Sequence, residues 1–202
     1  MTIDVAGTSA LEVYQMLVGV VTPRPIAWVT SIDPEGRVNL APFSFFNAFG
    51  ANPPVVVFSP TLRRDGTKKD TLRNIEATGE FVLNAAVESL AEQINLSSKE
   101  LPYGEDEFQL TGLTPRPSLR VKPPRVAESP VHLECKLLQI IPVGNRPLSA
   151  NLIIGEVIVI HIDDAVLDPA GRVDPRKLRT IARLGGSYYC RSTDLFEMER
   201  PK

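Results

Sequence analysis

Two long segments in the second half of the chain have the composition and periodicity of β-strands. In VHLECKLLQII, Val131–Ile141, apolar residues alternate with polar ones, which is the pattern of a half-buried strand. LIIGEVIVIHI, Leu152–Ile162, is almost wholly apolar, and Gly155 within it is a candidate β-bulge. Long strands with few helices favour an antiparallel barrel or sandwich, so we expect a mainly β protein.

The first half of the chain predicts a hairpin and a further strand. Ile26–Ile32 is followed by the turn sequence Asp33–Gly36 and by a second strand pattern, and Val55–Phe58 resembles a buried strand. Both faces of Ile26–Ile32 are apolar, as is nearly all of Leu152–Ile162. One barrel interior needs less apolar surface than this, so we expect a homodimer. The proline-rich Leu113–Pro130 predicts an ordered crossing loop without a regular ladder.

Short helices are predicted beside the strands. Ser9–Glu12, with the sequence SALE, is a capping box that begins a helix to Met16. Asp70 or Thr71 is expected to cap a second helix, which a glycine closes. Another capping-box pattern, Ser89–Glu92, predicts a third helix.

Length and composition exclude several classes of protein. The 202 residues fit a single domain spanning 1–202, and no apolar run reaches the ~18 residues of a membrane helix. Without a signal-peptide pattern, a soluble cytoplasmic protein with no membrane partner is expected. A net charge of −2 and a pI near 5.8 argue against nucleic acid as a partner. Cys135, Cys190, His132 and His161 form no spaced cluster, so neither a disulfide nor a metal site is expected.

A basic loop precedes the second predicted helix. Arg63, Arg64, Lys68 and Lys69 lie in SPTLRRDGTKKDTLRN, and Thr71 stands in the first turn of the helix. Basic side chains, a hydroxyl and the free N–H groups of a helix start can bind one anion, and a phosphate fits such a site. An exposed, solvated loop is the alternative, because most charged residues lie at the surface.

The segment NLAPFSFFNAFGANPPVVVFSP, residues 39–60, holds five of the eight phenylalanines of the chain, with asparagines and serines among them. Core packing explains aromatic residues but not the small polar groups placed between them. Of Phe43, Phe45, Phe46 and Phe49, we expect at least two to be core residues, and the alternation does not say which.

Five motifs, in this order, carry a resemblance to a known family: TPRPIAWVTSID, VNLAPFSFFNAFGANPPVVVFS, KDTLRNI, GEFVLN and ARLGGSYY. They resemble the flavin reductase-like, FMN-binding split-barrel family, which includes the flavoredoxins. The likeness runs from about Met16 to Tyr189. It implies an antiparallel split β-barrel with a few peripheral helices, which dimerises and holds noncovalent FMN in a cleft near the subunit interface.

The resemblance implies which residues contact the flavin. Contacts with the ring and ribityl chain fall to Thr30, Ser31, Ser44, Phe45 and Asn47. An isoalloxazine ring needs a flat apolar slot with hydrogen-bond partners for its nitrogen and oxygen atoms. Aromatic residues interleaved with small polar ones provide both, which accounts for the polar groups in the segment 39–60.

Other positions are assigned to the phosphate and to the edge of the cleft. For the phosphate we favour Lys69, with Thr71 and the amides at the helix start, that of Asp70 included, and we place Arg63 second. Arg24 is expected to touch the flavin or the phosphate of a nicotinamide donor, an exposed turn arginine being an equal alternative. The RLGG sequence implies cofactor contacts by three further residues, with an ordinary loop turn as the alternative: Arg183, Gly185 and Gly186.

Two functions from different classes follow from the resemblance. In the first, NAD(P)H delivers hydride to bound FMN, and the electrons pass to free flavin, a partner oxygenase or another acceptor. In the second, the protein is a flavoredoxin-type electron carrier or a non-catalytic FMN-binding module that a protein partner reduces. The absence of G-x-G-x-x-G does not decide between them, since split-barrel reductases bind the donor beside the flavin. No catalytic residue is assigned: His161 is expected to be a structural histidine and Cys190 an inert thiol.

Overall fold

Strands make up most of the regular structure. The computed structural model describes residues 1–201. Its strands are β1 Arg24–Pro25, β2 Ala27–Ile32, β3 Val38–Phe43, β4 Phe46–Ala51, β5 Pro54–Phe58, β6 Glu80–Ala85, β7 Pro115–Arg116, β8 Arg125–Val126, β9 Val131–Val143, β10 Ala150–Ile162, β11 Ile181–Arg183 and β12 Tyr189–Arg191. The mainly β class predicted from the sequence is confirmed.

The helices are short. They are α1 Ala10–Val20, α2 Asp70–Thr78, α3 Ala91–Leu96, α4 Glu107–Thr111 and α5 Pro175–Leu178, with 3₁₀ turns at Val5–Gly7, Glu88–Leu90 and Asp164–Val166. Within residues 1–201, no helix is both long and apolar enough to span a membrane.

Seven antiparallel strands form the central sheet, in the order β3-β2-β6-β9-β10-β5-β4. A small sheet, β1-β11-β12, and a two-stranded ladder, β7-β8, lie beside it. The hairpin β2–β3 forms as predicted, because the Asp33 carboxylate accepts the Arg37 N–H at 2.8 Å and closes the turn.

Strand β2 is buried on both faces because it separates two apolar cores. Val29 packs with the phenylalanines Phe58 and Phe81 in the first core. Trp28, on the opposite face, packs in a second core with residues such as Phe108. The apolar character of both faces is therefore explained within one chain, and this strand offers no surface for a partner.

The paired strands β9 and β10 contain the bulge expected at Gly155. Their register shifts between Ile154 and Gly155. A Cβ at position 155 would overlap the ring of Phe81. Glycine is therefore required here because an aromatic ring of the first core lies directly against the backbone.

Three helix predictions need correction. The capping box at Ser9 forms, but α1 continues to Val20, four residues beyond the predicted end. The pattern at Ser89–Glu92 forms no capping box: Ser89 lies in a 3₁₀ turn, and Leu90 precedes α3 without a side-chain cap. The predicted cap of α2 by Asp70 or Thr71 is wrong: both residues lie in the first turn of the helix, and Lys69 is the N-cap, again without a side-chain hydrogen bond.

The proline-rich segment 113–130 is ordered, as expected, but it does contain a short ladder. Strands β7 and β8 pair Pro115 with Val126 and Arg116 with Arg125. The buried Glu134 carboxylate accepts the N–H groups of two residues in the same segment, both at 2.7 Å. These contacts fix the loop against β9.

Candidate functional site

A cavity of about 380 Å³ lies where the β3–β4 turn meets α1, α3 and the loop between β11 and β12. Tyr14, Phe45 and Tyr189 give it aromatic walls, and Tyr14 packs edge-on against Phe45 at 6.1 Å between ring centroids. Small polar side chains line the rest, among them Ser44 and Asn95. The cavity thus combines aromatic surface with hydrogen-bonding groups.

A smaller cavity of about 130 Å³ adjoins the first. The two share the side chains of Pro42, Phe43, Lys69 and Ser98. Thr71 lines the smaller cavity at the start of α2. Together the two cavities form a continuous cleft with a wide aromatic end and a narrow end at the helix N-terminus.

Lys69 stands between the two cavities. Within residues 1–201 its amine makes no hydrogen bond and no ion pair, and it lies 5.8 Å from the centroid of the Phe43 ring. Burial lowers the pKa of Lys69, the nearby Arg63 lowers it further, and Glu100 acts in the opposite direction. A half-buried cation at a helix start without a side-chain cap is suited to an anionic ligand.

Two other cations of the basic loop are already occupied. Arg63 pairs with Asp70 at 3.1 Å and donates to the Lys68 carbonyl at 2.6 Å. Lys68 pairs with Glu76 at 2.7 Å. Arg63 lines the smaller cavity, but its charge is compensated by the first residue of α2.

The narrow end also contains a carboxyl group that sequence reasoning missed. Glu107 accepts the Leu40 N–H at 2.9 Å, and burial raises its pKa to about 7. Beside it, Asn39 donates to the Thr71 hydroxyl oxygen at 2.9 Å. No sequence pattern pointed to Glu107, because it lies in a short helix far along the chain from the basic loop.

Three of the predicted contact residues lie away from the cleft. Thr30 and Ser31 are inaccessible to solvent, and their hydroxyl oxygens accept hydrogen bonds from Asn84 and Asn74. Asn47 is exposed on β4, and its side-chain oxygen accepts the N–H of the next residue. The cleft does include the predicted Ser44 and Phe45.

Arg24 is buried and holds the end of α1 in place. Its guanidinium donates to the carbonyls of Val18, Val21 and Leu184 and to the Ser44 hydroxyl. Burial lowers its pKa, and Arg183 acts in the same direction. Cations at a helix C-terminus satisfy carbonyls that lack intrahelical partners, so Arg24 positions Ser44 instead of opening into the cleft.

The residues of the RLGG sequence have two roles: the arginine lines the larger cavity, and the glycines shape the backbone of the loop. Arg183 lines the larger cavity, stacks on the Tyr189 ring at 4.5 Å and donates to the Gly186 carbonyl at 2.9 Å. Gly185 packs against the backbone of Gly19 in α1: a Cβ there would lie 3.1 Å from the Gly19 Cα. This glycine therefore permits close approach of a helix, and Gly186 turns the loop with φ of 59°.

Several residues of the cleft carried no assignment from the sequence. They are Tyr14, Asn95, Ser98, Ser187 and Tyr189. Tyr189 is the last residue of the family motif ARLGGSYY, and this motif could have indicated that Tyr189 lies at the site. The others come from α1, the end of α3 and the β11–β12 loop, which only folding brings together.

Comparisons with known proteins agree with this architecture. The family model described as "Flavin reductase like domain" matches residues 20–182. The chain belongs to the flavin reductase-like family. An uncharacterised protein of Aquifex aeolicus is 41% identical over 92% of this chain and 92% of its own.

Solved structures show the same family resemblance. Nitrilotriacetate monooxygenase component B from Bacillus cereus superposes with a TM-score of 0.92 at 36% identity, covering 98% of each chain. A protein from Shewanella frigidimarina, described as a flavin reductase with a split barrel domain, gives a TM-score of 0.84 at 24% identity over 100% of both chains. The predicted split-barrel fold of this flavin reductase-like protein is confirmed.

Proposed function

We propose that this protein binds FMN noncovalently in the cleft and acts as an NAD(P)H-dependent flavin reductase. The observation that carries the proposal is the joining of an aromatic cavity to a narrow pocket where the Lys69 amine has no partner within residues 1–201. Family membership supports a flavin as the ligand. A neighbour of similar fold, from Thermus thermophilus, is described as an FMN-binding protein.

The residues of the cleft suit a flavin. The larger cavity, at about 380 Å³, lies within the range of roughly 300–1,000 Å³ that is usual for ligand sites. The rings of Tyr14 and Phe45 form an apolar wall, and the Ser44 hydroxyl and Asn95 amide supply hydrogen-bonding groups at its edge. An isoalloxazine ring requires both kinds of surface once water is excluded.

The narrow end suits the phosphate of FMN. Lys69 would supply a charge-assisted hydrogen bond, and Thr71 and the first amides of α2 would add neutral donors. Arg63 remains a second choice because Asp70 compensates its charge. The small volume of the narrow end, with the half-buried Lys69 at the start of α2, favours a single phosphate, so we propose FMN in preference to FAD or riboflavin.

Bound FMN would supply the ring that accepts hydride and passes electrons on. The protein's own part is placement: Arg24 fixes Ser44 and the end of α1, and Arg183 holds the β11–β12 loop against Tyr189. The larger cavity is partly open to solvent, which leaves the nicotinamide donor a route to the flavin. No side chain is assigned a catalytic role.

Free flavin or a partner oxygenase is the proposed electron acceptor. The similarity to a protein described as a monooxygenase component supports a partner of that class. A flavoredoxin-type carrier or a non-catalytic flavin-binding module, reduced by another protein, is the second candidate, since a solved structure of similar fold is described as a flavoredoxin. A cytoplasmic location and the single-domain organisation stay predictions.

Anaerobic mixing of the FMN-loaded protein with NADH or NADPH tests the proposal. We expect the flavin absorbance to bleach faster than that of free FMN under the same conditions. Dithionite serves as the control that shows the bound flavin to be reducible. Reduction by dithionite but not by either nicotinamide would favour the carrier, and failure to bind FMN would refute the proposal altogether.

A homodimer is proposed on apolar groups of the β9–β10 hairpin, and β10 is one of the two segments on which the expectation of a dimer rested. The two faces of β2 are covered within the chain, but the far end of the β9–β10 hairpin exposes Leu138, Ile141 and Val143. Exposed apolar groups in one place indicate an interface. Sedimentation at micromolar concentration should give twice the 22.2 kDa of the chain, and a mass of one chain would contradict the dimer.

A further inference from the structure

A separate polar cavity of about 510 Å³ lies between the β7–β8 ladder and the paired ends of β9 and β10. It shares no lining residue with either cavity of the flavin cleft. Its lining includes Arg116, Arg125, His132 and His161. This cavity has no part in the proposed reaction, so its residues need a separate explanation.

The two arginines of this cavity face each other across a short ladder. Arg116 and Arg125 are direct partners across the β7–β8 ladder. Arg125 is only 8% exposed, and its guanidinium donates to the Pro117 carbonyl at 2.9 and 3.3 Å. Within residues 1–201 neither arginine has a carboxylate within 4.0 Å. Like charges directly opposite each other and a buried cation without a counter-ion are both unfavourable, and a bound anion would relieve both.

Three acidic residues lie near the arginines, and within residues 1–201 none of them forms an ion pair with Arg116 or Arg125. The Glu134 carboxylate accepts the N–H groups of Leu119 and Arg120 and lies 2.7 Å from His161 Nε2. Asp163 accepts the Ala165 N–H at 2.9 Å and caps a 3₁₀ turn. Asp164, next along the chain, lines the rim but is exposed to solvent.

The hydrogen bonds of Asn84 fix the state of one imidazole. Its amide nitrogen donates to the Trp28 carbonyl and the Thr30 hydroxyl. Its oxygen accepts the Val126 N–H and lies 2.9 Å from His132 Nδ1, so this nitrogen carries the proton. His132 Nε2 has no hydrogen-bond partner within residues 1–201. Every fully buried side-chain nitrogen in these residues does have a partner, so Nε2 is not fully buried and is open to the cavity that His132 lines.

The cavity also has an apolar side. Ile160 and Ile162 line it and are 58% and 40% exposed. We propose that this cavity binds a small organic carboxylate, with the anion between Arg116 and Arg125 and an apolar body against the two isoleucines. Guanidinium groups bind carboxylates through paired N–H donors, and the apolar side favours a ligand that buries hydrocarbon. This proposal does not rest on the flavin reductase activity.

His132 and His161 are the only histidines of the chain, which gives the test a direct signal. Benzoate titrated into the full-length protein should shift both imidazole nitrogen resonances in NMR spectra, with saturation. Acetate should bind more weakly because it lacks the apolar body, and chloride at equal ionic strength should give no saturable shift. An equal affinity for acetate and benzoate would overturn the assignment, as would an absence of saturation with benzoate.

Arg116→Gln is the informative variant because Arg116 is exposed and its loss spares the core. It should weaken benzoate binding by about 10-fold or more, as expected for a charge-assisted hydrogen bond. Arg120→Gln is the matched control: Arg120 is exposed in the loop that follows β7 and does not line the cavity. Its effect should stay within about twofold. Equal losses in the two variants would show a general charge effect and overturn the proposal.

Discussion

Replacement of Lys69 by alanine should weaken FMN binding by about 10- to 100-fold, because a charge-assisted hydrogen bond to phosphate contributes about 1.5–3 kcal/mol. Riboflavin lacks the phosphate and should lose almost no affinity. The variant should have little effect on the rest of the structure. Within residues 1–201 the Lys69 amine makes no hydrogen bond or ion pair, so its removal leaves no acceptor without a donor. Loss of its contact with the Phe43 ring should cost the fold about 0.5–1 kcal/mol.

Titration of FMN and riboflavin into the apoprotein, followed by quenching of flavin fluorescence, measures the effect. Lys68→Ala is the matched control, since Lys68 has the same charge but pairs with Glu76 at the surface. This variant should change FMN affinity by no more than about twofold. A similar loss for both flavins in Lys69→Ala would mean that Lys69 supports the ring site or the fold. Unchanged FMN affinity would mean that the phosphate binds elsewhere.

Three further predictions concern stability. Burial raises the pKa of Glu107 from 4.5 to about 7, so the folded protein retains a proton that the unfolded chain has lost, and stability should fall as pH rises from about 5 to 7.5. In urea unfolding, Glu107→Gln should reduce this pH-dependent loss of unfolding free energy by about 1–3 kcal/mol. The same dependence of the unfolding free energy on pH in the variant and the wild type would contradict the prediction. Gly155→Ala should destabilise by about 1–3 kcal/mol through overlap with Phe81, while Gly7→Ala, in open space, should stay within about 0.5 kcal/mol in the same assay. Arg24→Met should cost about 2–4 kcal/mol by leaving buried carbonyls without donors, and an unchanged urea midpoint would show that water replaces them.

Short sequence patterns predicted the correct structure at positions where a single residue type sets the backbone conformation. The bulge at Gly155 and the turn after β2 were predicted because a missing side chain or an Asx hydrogen bond acts within a few residues. The capping pattern at Ser89–Glu92 wrongly predicted a capping box, because a short local pattern does not include the effect of tertiary packing. Leu90, the residue before α3, is buried in the second core, and this packing favours the observed start of the helix.

The candidate site was less predictable than the fold. The family motifs assigned Ser44 and Phe45 to the flavin, and both residues line the cleft. The same motifs also pointed to Thr30 and Ser31, whose hydroxyls accept hydrogen bonds inside the protein. For Arg24 the sequence left two alternatives, a ligand contact and an exposed turn. The structure contradicts the exposed turn, because Arg24 is buried and donates to backbone carbonyls. A motif records which residues occur together, not which of their atoms remain free after packing.

The sequence by itself determined the long strands, the β class and the basic loop, because apolar periodicity and charge are local properties of the chain. Only the tertiary structure decided which cations are available to a ligand. Asp70 compensates Arg63 and Glu76 compensates Lys68, whereas Lys69 turns toward Phe43 and keeps an unpaired amine among the described residues. Ion pairing depends on where side chains lie after folding, and four neighbouring basic residues look alike until the helix and the sheet are in place.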